Sequence, residues 1–402
     1  PLLDVTTTPG QLKSIKYPMA GQKSEQPKVG IYNVKTGNTV YIVPTRKDDD
    51  YLTNLSFTLD EKFVVIAEVN RDQNHMRLNV FDVESGKYVK TLIEEKNERW
   101  VEPEHAAFFL NEKNNEFIWV SERDGFNNLY HYDFNGKLIN QLTANKFVVK
   151  NIVAYEGGKI FFNATGDSPL NTMLYNVDLK GNQSLVTKIS GTHSATVSTN
   201  GKWIYDAYSN HDVPNQELIL NAEGKTIRTV LTAENKISEY VYGSADLGTI
   251  ENGKGTTLYT RLIKPSNFDP QKKYPVMVYV YGGPHAQLIT NSWLDGANLW
   301  MYWMAEQGYL VFTVDGRGSA ERGFEFESVI HRQLGVAEME DQMAGVDYLK
   351  SLKYVDGNRI AVHGWSFGGF MTTNLLLTHP GVFTCGVAGG PSKQNLWNPL
   401  QG

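Results

Sequence analysis

Arg359-Ile-Ala-Val-His-Gly-Trp-Ser-Phe-Gly-Gly369 decides the fold. A branched apolar run, Ile360 to His363, ends on Gly364-Trp365-Ser366-Phe367-Gly368, a G-x-S-x-G, and a helix-forming run from Phe370 to Thr378 follows, closed by His379-Pro380. A buried strand, a sharp turn and a helix in that order lift the serine hydroxyl clear of a sheet, with glycines where a Cβ would collide. The plainer alternative is a glycine-rich turn without chemistry, and the flanking strand and helix favour the elbow.

The segments before the elbow supply the sheet. Thr256–Lys264 predicts a strand, and Tyr274–Tyr281 a second one that runs into Gly282-Gly-Pro-His285. Trp300–Gly308 predicts a helix ended by glycine, Tyr309–Asp315 a strand, and Met339–Lys350 a helix. Strands alternating with helices predict a parallel sheet with crossovers, here the N-terminal part of an α/β hydrolase. A glycine-rich junction, Gly243 to Gly255, sets the expected boundary: residues 1–242 on one side, 243–402 on the other.

Upstream of that junction the chain repeats. Glycines recur in one kind of turn at Gly37, Gly86, Gly136, Gly181 and Gly224, spaced 49, 50, 45 and 43 residues apart. Each of the later four follows an apolar strand: Leu78–Val83, Leu129–Phe134, Met173–Leu179 and Glu217–Leu220. A second set precedes these, at Phe63–Glu68, Phe117–Val120, Lys159–Phe162 and Lys202–Asp206, and Val29–Val43 reads as a hairpin. Several short strands every ~45 residues predict β-propeller blades, about four and a half of them; a large sandwich with accidental glycine spacing is the alternative. A ring of that size beginning mid-blade leaves sheet edges open, so further blades are expected before Pro1. Residues 1 to 27 read as loop.

Composition narrows the function. With 402 residues, 21 Tyr, 18 Phe and 36 Gly, the chain is a strand-rich globular protein. A net charge of -6 without a basic cluster argues against a nucleic-acid partner. Cys385 stands alone, so the chain holds no internal disulfide. No apolar run approaches the length of a membrane span. Scattered histidines with no H-x-x-x-H suggest no metal site, and no cofactor is expected.

A serine needs a base to take its proton, usually a histidine oriented by an acid, and in this fold both follow the nucleophile. From Phe367 to Gly402 there is no Asp or Glu, and the only histidine is His379, about four helical turns from Ser366. His363, three residues before the serine, reads as a satisfied core histidine; His285 and His331 fall in loops and do not fit the chain order. The triad Asp and His are therefore absent from this chain, which is expected to stop before them and to be inactive alone. For the oxyanion hole, the Phe367 N–H is one candidate donor and the Tyr281 hydroxyl, at the carboxyl end of its strand, another.

Gly364-Trp-Ser-Phe-Gly-Gly369, Tyr279-Val-Tyr-Gly-Gly-Pro284 and Asp315-Gly-Arg-Gly-Ser319, in this order after propeller repeats, resemble the prolyl oligopeptidase family of serine peptidases, most closely its dipeptidyl peptidase IV branch with the bacterial prolyl tripeptidyl peptidases. The resemblance implies Ser366 as nucleophile, Tyr281 as side-chain oxyanion donor and the Phe367 amide as backbone donor. It implies release of short peptides after Pro or Ala from a free N-terminus, a possible homodimer of the full-length protein, and a periplasmic, exported or cell-envelope location in a bacterium. An acylaminoacyl peptidase or oligopeptidase of the same fold, and a non-catalytic binding scaffold, are the alternatives. The family's amine-binding glutamate pair is expected upstream of Pro1; Glu102 and Glu104, after Trp100, read as solvated loop carboxylates. Asp315 and Arg317 are expected to brace the loop over the sheet edge. In the tail only Trp397 is aromatic, so no proline-pocket residue is assigned.

Overall fold

The computed structural model describes residues 2–14, 16, 21–23, 25–46, 49–111 and 115–390. The tail with Trp397 lies outside the described residues.

Four four-stranded antiparallel sheets follow one another, over residues 51–96, 108–141, 149–185 and 192–232, each a meander of sequence-adjacent strands. The inner strands are the runs the sequence marks: Phe63–Val69 with His75–Asp82, Phe117–Ser121 with Asn128–Tyr132, Lys159–Ala164 with Met173–Asp178, and Trp203–Ser209 with Gln216–Asn221. Apart from Lys159, Asn163 and the terminal Asp178, the middle two pairs are buried throughout. Apolar clusters lie between successive sheets: Val65, Leu78 and Leu92 pack with Phe117, Trp119 and Tyr130, and Ile118 and Leu129 with Ile160 and Phe162. This β-rich region is consistent with a propeller-type fold.

The recurrent glycines explain the spacing. All five have φ between 68° and 90°, a left-handed conformation that glycine adopts at no steric cost. Each sits in the turn before the last strand of its sheet, or of the Gly30–Tyr32/Thr39–Tyr41 hairpin for Gly37. A Cβ on Gly86 would stand 2.3 Å from the Tyr41 carbonyl oxygen, one on Gly136 2.2 Å from Leu92, and one on Gly224 1.9 Å from Val186. In each case that carbonyl belongs to the preceding unit, so the glycine turn is where one sheet rests on the last.

A six-stranded sheet follows, in the order Ser244–Glu251, Thr257–Lys264, Leu310–Asp315, Tyr274–Tyr279, Val355–Trp365, Cys385–Gly389. The last four strands are parallel, as expected, but the first two run antiparallel to their neighbours, so the sheet is mixed. The glycine-rich segment 243–255 is not simply a junction. Ser244–Glu251 pairs along its whole length with Thr257–Lys264; an edge strand with one exposed face carries little apolar pattern. Likewise Leu2–Asp4 and Gln11–Lys13 pair within the stretch expected to be loop. The sheet is covered on both faces. Helix Leu299–Glu306 packs Met301, Tyr302 and Ala305 on Ile263 and Val311, while helices Ala337–Ser351 and Phe367–Thr378 pack Met339, Val346, Phe370 and Met371 on Val278, Phe312 and Val362.

The candidate active site

Ser366 stands between strand Val355–Trp365 and helix Phe367–Thr378 with φ 57° and ψ −115°. This is an unfavourable backbone for a residue with a side chain. The surroundings impose it. A Cβ on Gly364 would fall 2.4 Å from the carbonyl oxygens of Val280 and Gly368, and one on Gly368 2.3 Å from that of Val280. The Ser366 N–H donates to the Gly389 carbonyl at 2.9 Å, tying the turn to the neighbouring strand, and Trp365 lies exposed across Gly389, where a Cβ would overlap its ring. Ser366 itself is exposed.

The helix starts at Phe367, three residues earlier than the sequence predicts, so the Phe367 N–H belongs to the first turn, whose donors have no intrahelical acceptor. Its ring is buried against Phe370 at 5.1 Å. Tyr281, half-buried, comes from the end of the adjacent strand and meets Phe367 with ring centroids 6.3 Å apart. The Tyr281 ring lies over Gly283, where a Cβ would stand 2.5 Å away. Ser366, the Phe367 amide and Tyr281 thus all lie at the carboxyl end of the sheet.

The histidines take other places. His363 Nδ1 pairs with the Val387 carbonyl at 2.9 Å and its ring packs on Trp300 and Tyr279. His379 caps the far end of the helix. His331 packs edge-on to Trp100.

The loop after Tyr281 is pinned from below. The Asp315 carboxylate accepts from the Leu288 N–H at 3.1 Å and the Ile289 N–H at 2.9 Å; burial pushes its carboxyl up to about 6 against those bonds. Arg261, fully buried, donates to the carbonyls of Leu288 and Asp295 at 2.9 and 2.6 Å. Arg317 grips the buried Asp341 through Nε and Nη2 and also reaches Glu340 at 2.8 Å. Asp315 therefore braces the loop, whereas Arg317 ties its turn to helix Ala337–Ser351. Arg261 is missed by sequence reasoning, although a lone arginine inside the apolar run Leu258–Ile263 was a signal for it.

Glu102 and Glu104 are accessible loop carboxylates, as expected, but they face the α/β region rather than standing alone. Glu102 Oε2 lies 2.9 Å from His285 Nε2, and Glu327 Oε2 3.2 Å from His285 Nδ1. Glu104 joins Glu122, Glu321, Glu327 and Lys150 around a cavity of about 130 Å³ between the β-rich region and the α/β region. The Glu104 side chain is 44% accessible. Loss of hydration, with Glu102 and Glu327 close by, pushes Glu104 up to about 7; the same causes, with Glu327 and Glu104 as neighbours, push Glu122 up to about 8. A larger cavity of about 570 Å³ adjoins it, bordered by Tyr51, Trp100, Glu102, Pro284, His285 and Leu334. Neither Ser366 nor Tyr281 lines this space, which meets the site through Pro284 and His285. Among the described residues no group of acidic, histidine and cysteine side chains is arranged to hold a metal ion, and no helix is long and apolar enough to cross a membrane.

Residues 3–215 match the dipeptidyl peptidase IV N-terminal region, and residues 297–397 match the prolyl oligopeptidase family. The chain belongs to the prolyl oligopeptidase family of serine peptidases, on its dipeptidyl peptidase IV branch. A "putative dipeptidyl aminopeptidase IV" of Bacteroides ovatus superposes with a TM-score of 0.89 at 41% identity, covering 97% of this chain and 59% of that one. Porphyromonas gingivalis dipeptidyl peptidase 4 superposes at 0.86 with 29% identity, covering 95% of this chain and 55% of that one. The "Probable dipeptidyl-aminopeptidase B" of Arthroderma benhamiae is 30% identical over 94% of this chain and 44% of its own length. The chain spans about half the length of the curated relatives it matches.

Proposed function

We propose that the protein is a serine exopeptidase that releases N-terminal di- or tripeptides after Pro or Ala through an acyl-enzyme on Ser366. In the complete protein the Ser366 Oγ attacks the scissile carbonyl carbon as its proton passes to a base outside this chain, the Tyr281 hydroxyl and the Phe367 N–H stabilise the oxyanion, the base protonates the departing amine, and water, deprotonated by the same base, cleaves the ester and returns the proton to Ser366. The observation that carries this reading is the positive φ of Ser366 at a strand-to-helix elbow beside Tyr281; a binding scaffold has no use for a strained, exposed serine. In this reading residues 1–242 form about four and a half propeller blades, supported by the four sheets plus the Gly30–Tyr41 hairpin, and 243–402 carry the catalytic serine. The specificity, a cell-envelope or exported location and a homodimer rest on the resemblance to dipeptidyl peptidases.

Residues 367–402 contain no acid and only His379, so the 402-residue chain alone is expected to show negligible hydrolysis of a Gly-Pro reporter. The product of the complete open reading frame is expected to take up a fluorophosphonate probe and to lose the label in Ser366→Ala. No label, or a label that survives Ser366→Ala, refutes the proposal. Turnover of N-acylated but not free-amine peptides would move it to an acylaminoacyl peptidase.

A further inference from the structure

Before Tyr281 the chain is held by the sheet, the Val280 N–H donating to the His363 carbonyl at 2.9 Å; after it the chain has less to hold it. The strand ends at Tyr279, and the two residues after Tyr281 are glycines, Gly282 at φ 65° and Gly283 in a turn closed by the Ala286 N–H at 3.1 Å. Past Pro284, the next side chain with firm polar partners is His285. It is anchored on every side. Its N–H donates to the Gly318 carbonyl at 2.9 Å, its backbone is held at φ 57°, and its ring lies edge-on to Trp100 at 6.0 Å. Nε2 faces Glu102 and Nδ1 faces Glu327. Both ring nitrogens can donate at once only in the imidazolium. Glu102 and Trp100 come from the loop between strands Tyr88–Lys96 and Phe108–Phe109, whereas Glu327 and Gly318 come from the segment after strand Leu310–Asp315.

We infer that His285 is a positioning residue that clamps the Tyr281 loop between the β-rich region and the α/β region, so that the tyrosine hydroxyl is set by an ion pair spanning the two. The inference rests on the reading of Tyr281 as an oxyanion donor. Hydrogen bonding to Glu102 and Glu327 raises the His285 imidazole from its ordinary value to about 10, against the opposing effect of burial. Glu104 and Glu122 from the β-rich region and Glu321 from the α/β region share the adjoining cavity, where the one other cation, Lys150, is paired with Glu321 at 2.9 Å. The clamp is therefore closed across the neutral range and opens as pH rises through about 10.

The test uses the product of the complete open reading frame and the variants His285→Gln, Glu102→Gln and Tyr281→Phe. Glu102 is 45% exposed, so Glu102→Gln keeps the test informative should His285→Gln fold poorly. A displacement of about 1 Å can cost on the order of a hundredfold in rate. His285→Gln is accordingly expected to lower kcat on a Gly-Pro reporter about tenfold or more with KM within about threefold, and Glu102→Gln to act in the same sense but less. In a Tyr281→Phe background His285→Gln is expected to add nothing, and the wild-type rate to lose its advantage over His285→Gln above about pH 10. Hydrogen exchange at Ala286 and Leu288 is expected to quicken in both clamp variants. Unchanged kcat, or losses that multiply with Tyr281→Phe, overturn the inference. Should the wild-type product show no turnover, the peptidase reading falls by itself and exchange alone decides the clamp: faster exchange supports it, and unchanged exchange overturns it.

Discussion

At Ser366 the backbone is held in a region that costs a residue with a side chain about 1–3 kcal/mol, and Val280, Gly368 and Gly389 leave it no alternative. Glycine would occupy the same conformation without strain, at the expense of a more flexible unfolded chain, about 0.4–1 kcal/mol. Ser366→Gly is therefore expected to stabilise the protein by about 1 kcal/mol while abolishing probe labelling, whereas Ser366→Ala abolishes labelling with no gain in stability. Urea unfolding monitored by tryptophan fluorescence reads the difference, and equal midpoints for the two variants would remove strain from the account. The elbow could be found in the sequence because each of its glycines answers a local collision. The partners of His285 could not. Glu102 and His285 are 183 positions apart, and nothing in either neighbourhood announces that two loops meet.

Among the elements, the glycine turns divide into those that touch something and those that do not. Gly224 has φ 81° and the Val186 carbonyl 1.9 Å from its missing Cβ, while Gly253 has φ 75° and open space. Gly253→Ala is expected to cost only the left-handed penalty, about 1–2 kcal/mol. Gly224→Ala is expected to cost at least about 1–3 kcal/mol more, because two sheets must move apart. Chemical denaturation of the two variants checks this, and equal costs would mean that the glycine turns do not set the approach of neighbouring sheets. The inner strands of the middle two sheets were readable because burial on both faces leaves continuous apolar runs such as Phe117–Val120. The outer strands were not. Tyr51–Phe57 alternates exposed and half-buried positions, and Thr226–Thr232 is exposed throughout, so neither carries a pattern that separates it from a loop.

On the scale of the whole molecule, the junction between the β-rich and α/β regions is where ionisation matters. The Phe324 N–H donates to Gly125 and the Asn291 N–H to Leu170, Arg99 reaches Glu325 and Lys150 reaches Glu321, but Glu104 and Glu122 have been brought into a confined space beside other carboxylates. Their folded values, about 7 and about 8, lie above the ordinary 4.5. At these two carboxyls the folded protein holds more protons than the unfolded chain between about pH 4.5 and 8, so their contribution to stability falls as pH rises through that window. The double variant Glu104→Gln/Glu122→Gln is expected to match the wild type near pH 4.5 and to gain on it steadily up to pH 8 in urea midpoint. A constant difference across the range would mean that the two carboxyls titrate normally.

The contact of the Gly86, Gly136 and Gly224 turns with the preceding unit bears on how the chain is made. Synthesis proceeds from the N-terminus, so the surface that Gly86, Gly136 or Gly224 needs has already emerged when that turn appears. Each sheet can settle on a finished neighbour without waiting for later sequence. The strand that leads into Ser366 comes only after all four sheets have been translated, and the loop that carries Trp100 and Glu102 already stands in place when His285 reaches it. The serine elbow is thus built on loops that precede it, and closes only once the Gly389 carbonyl that its N–H meets has followed.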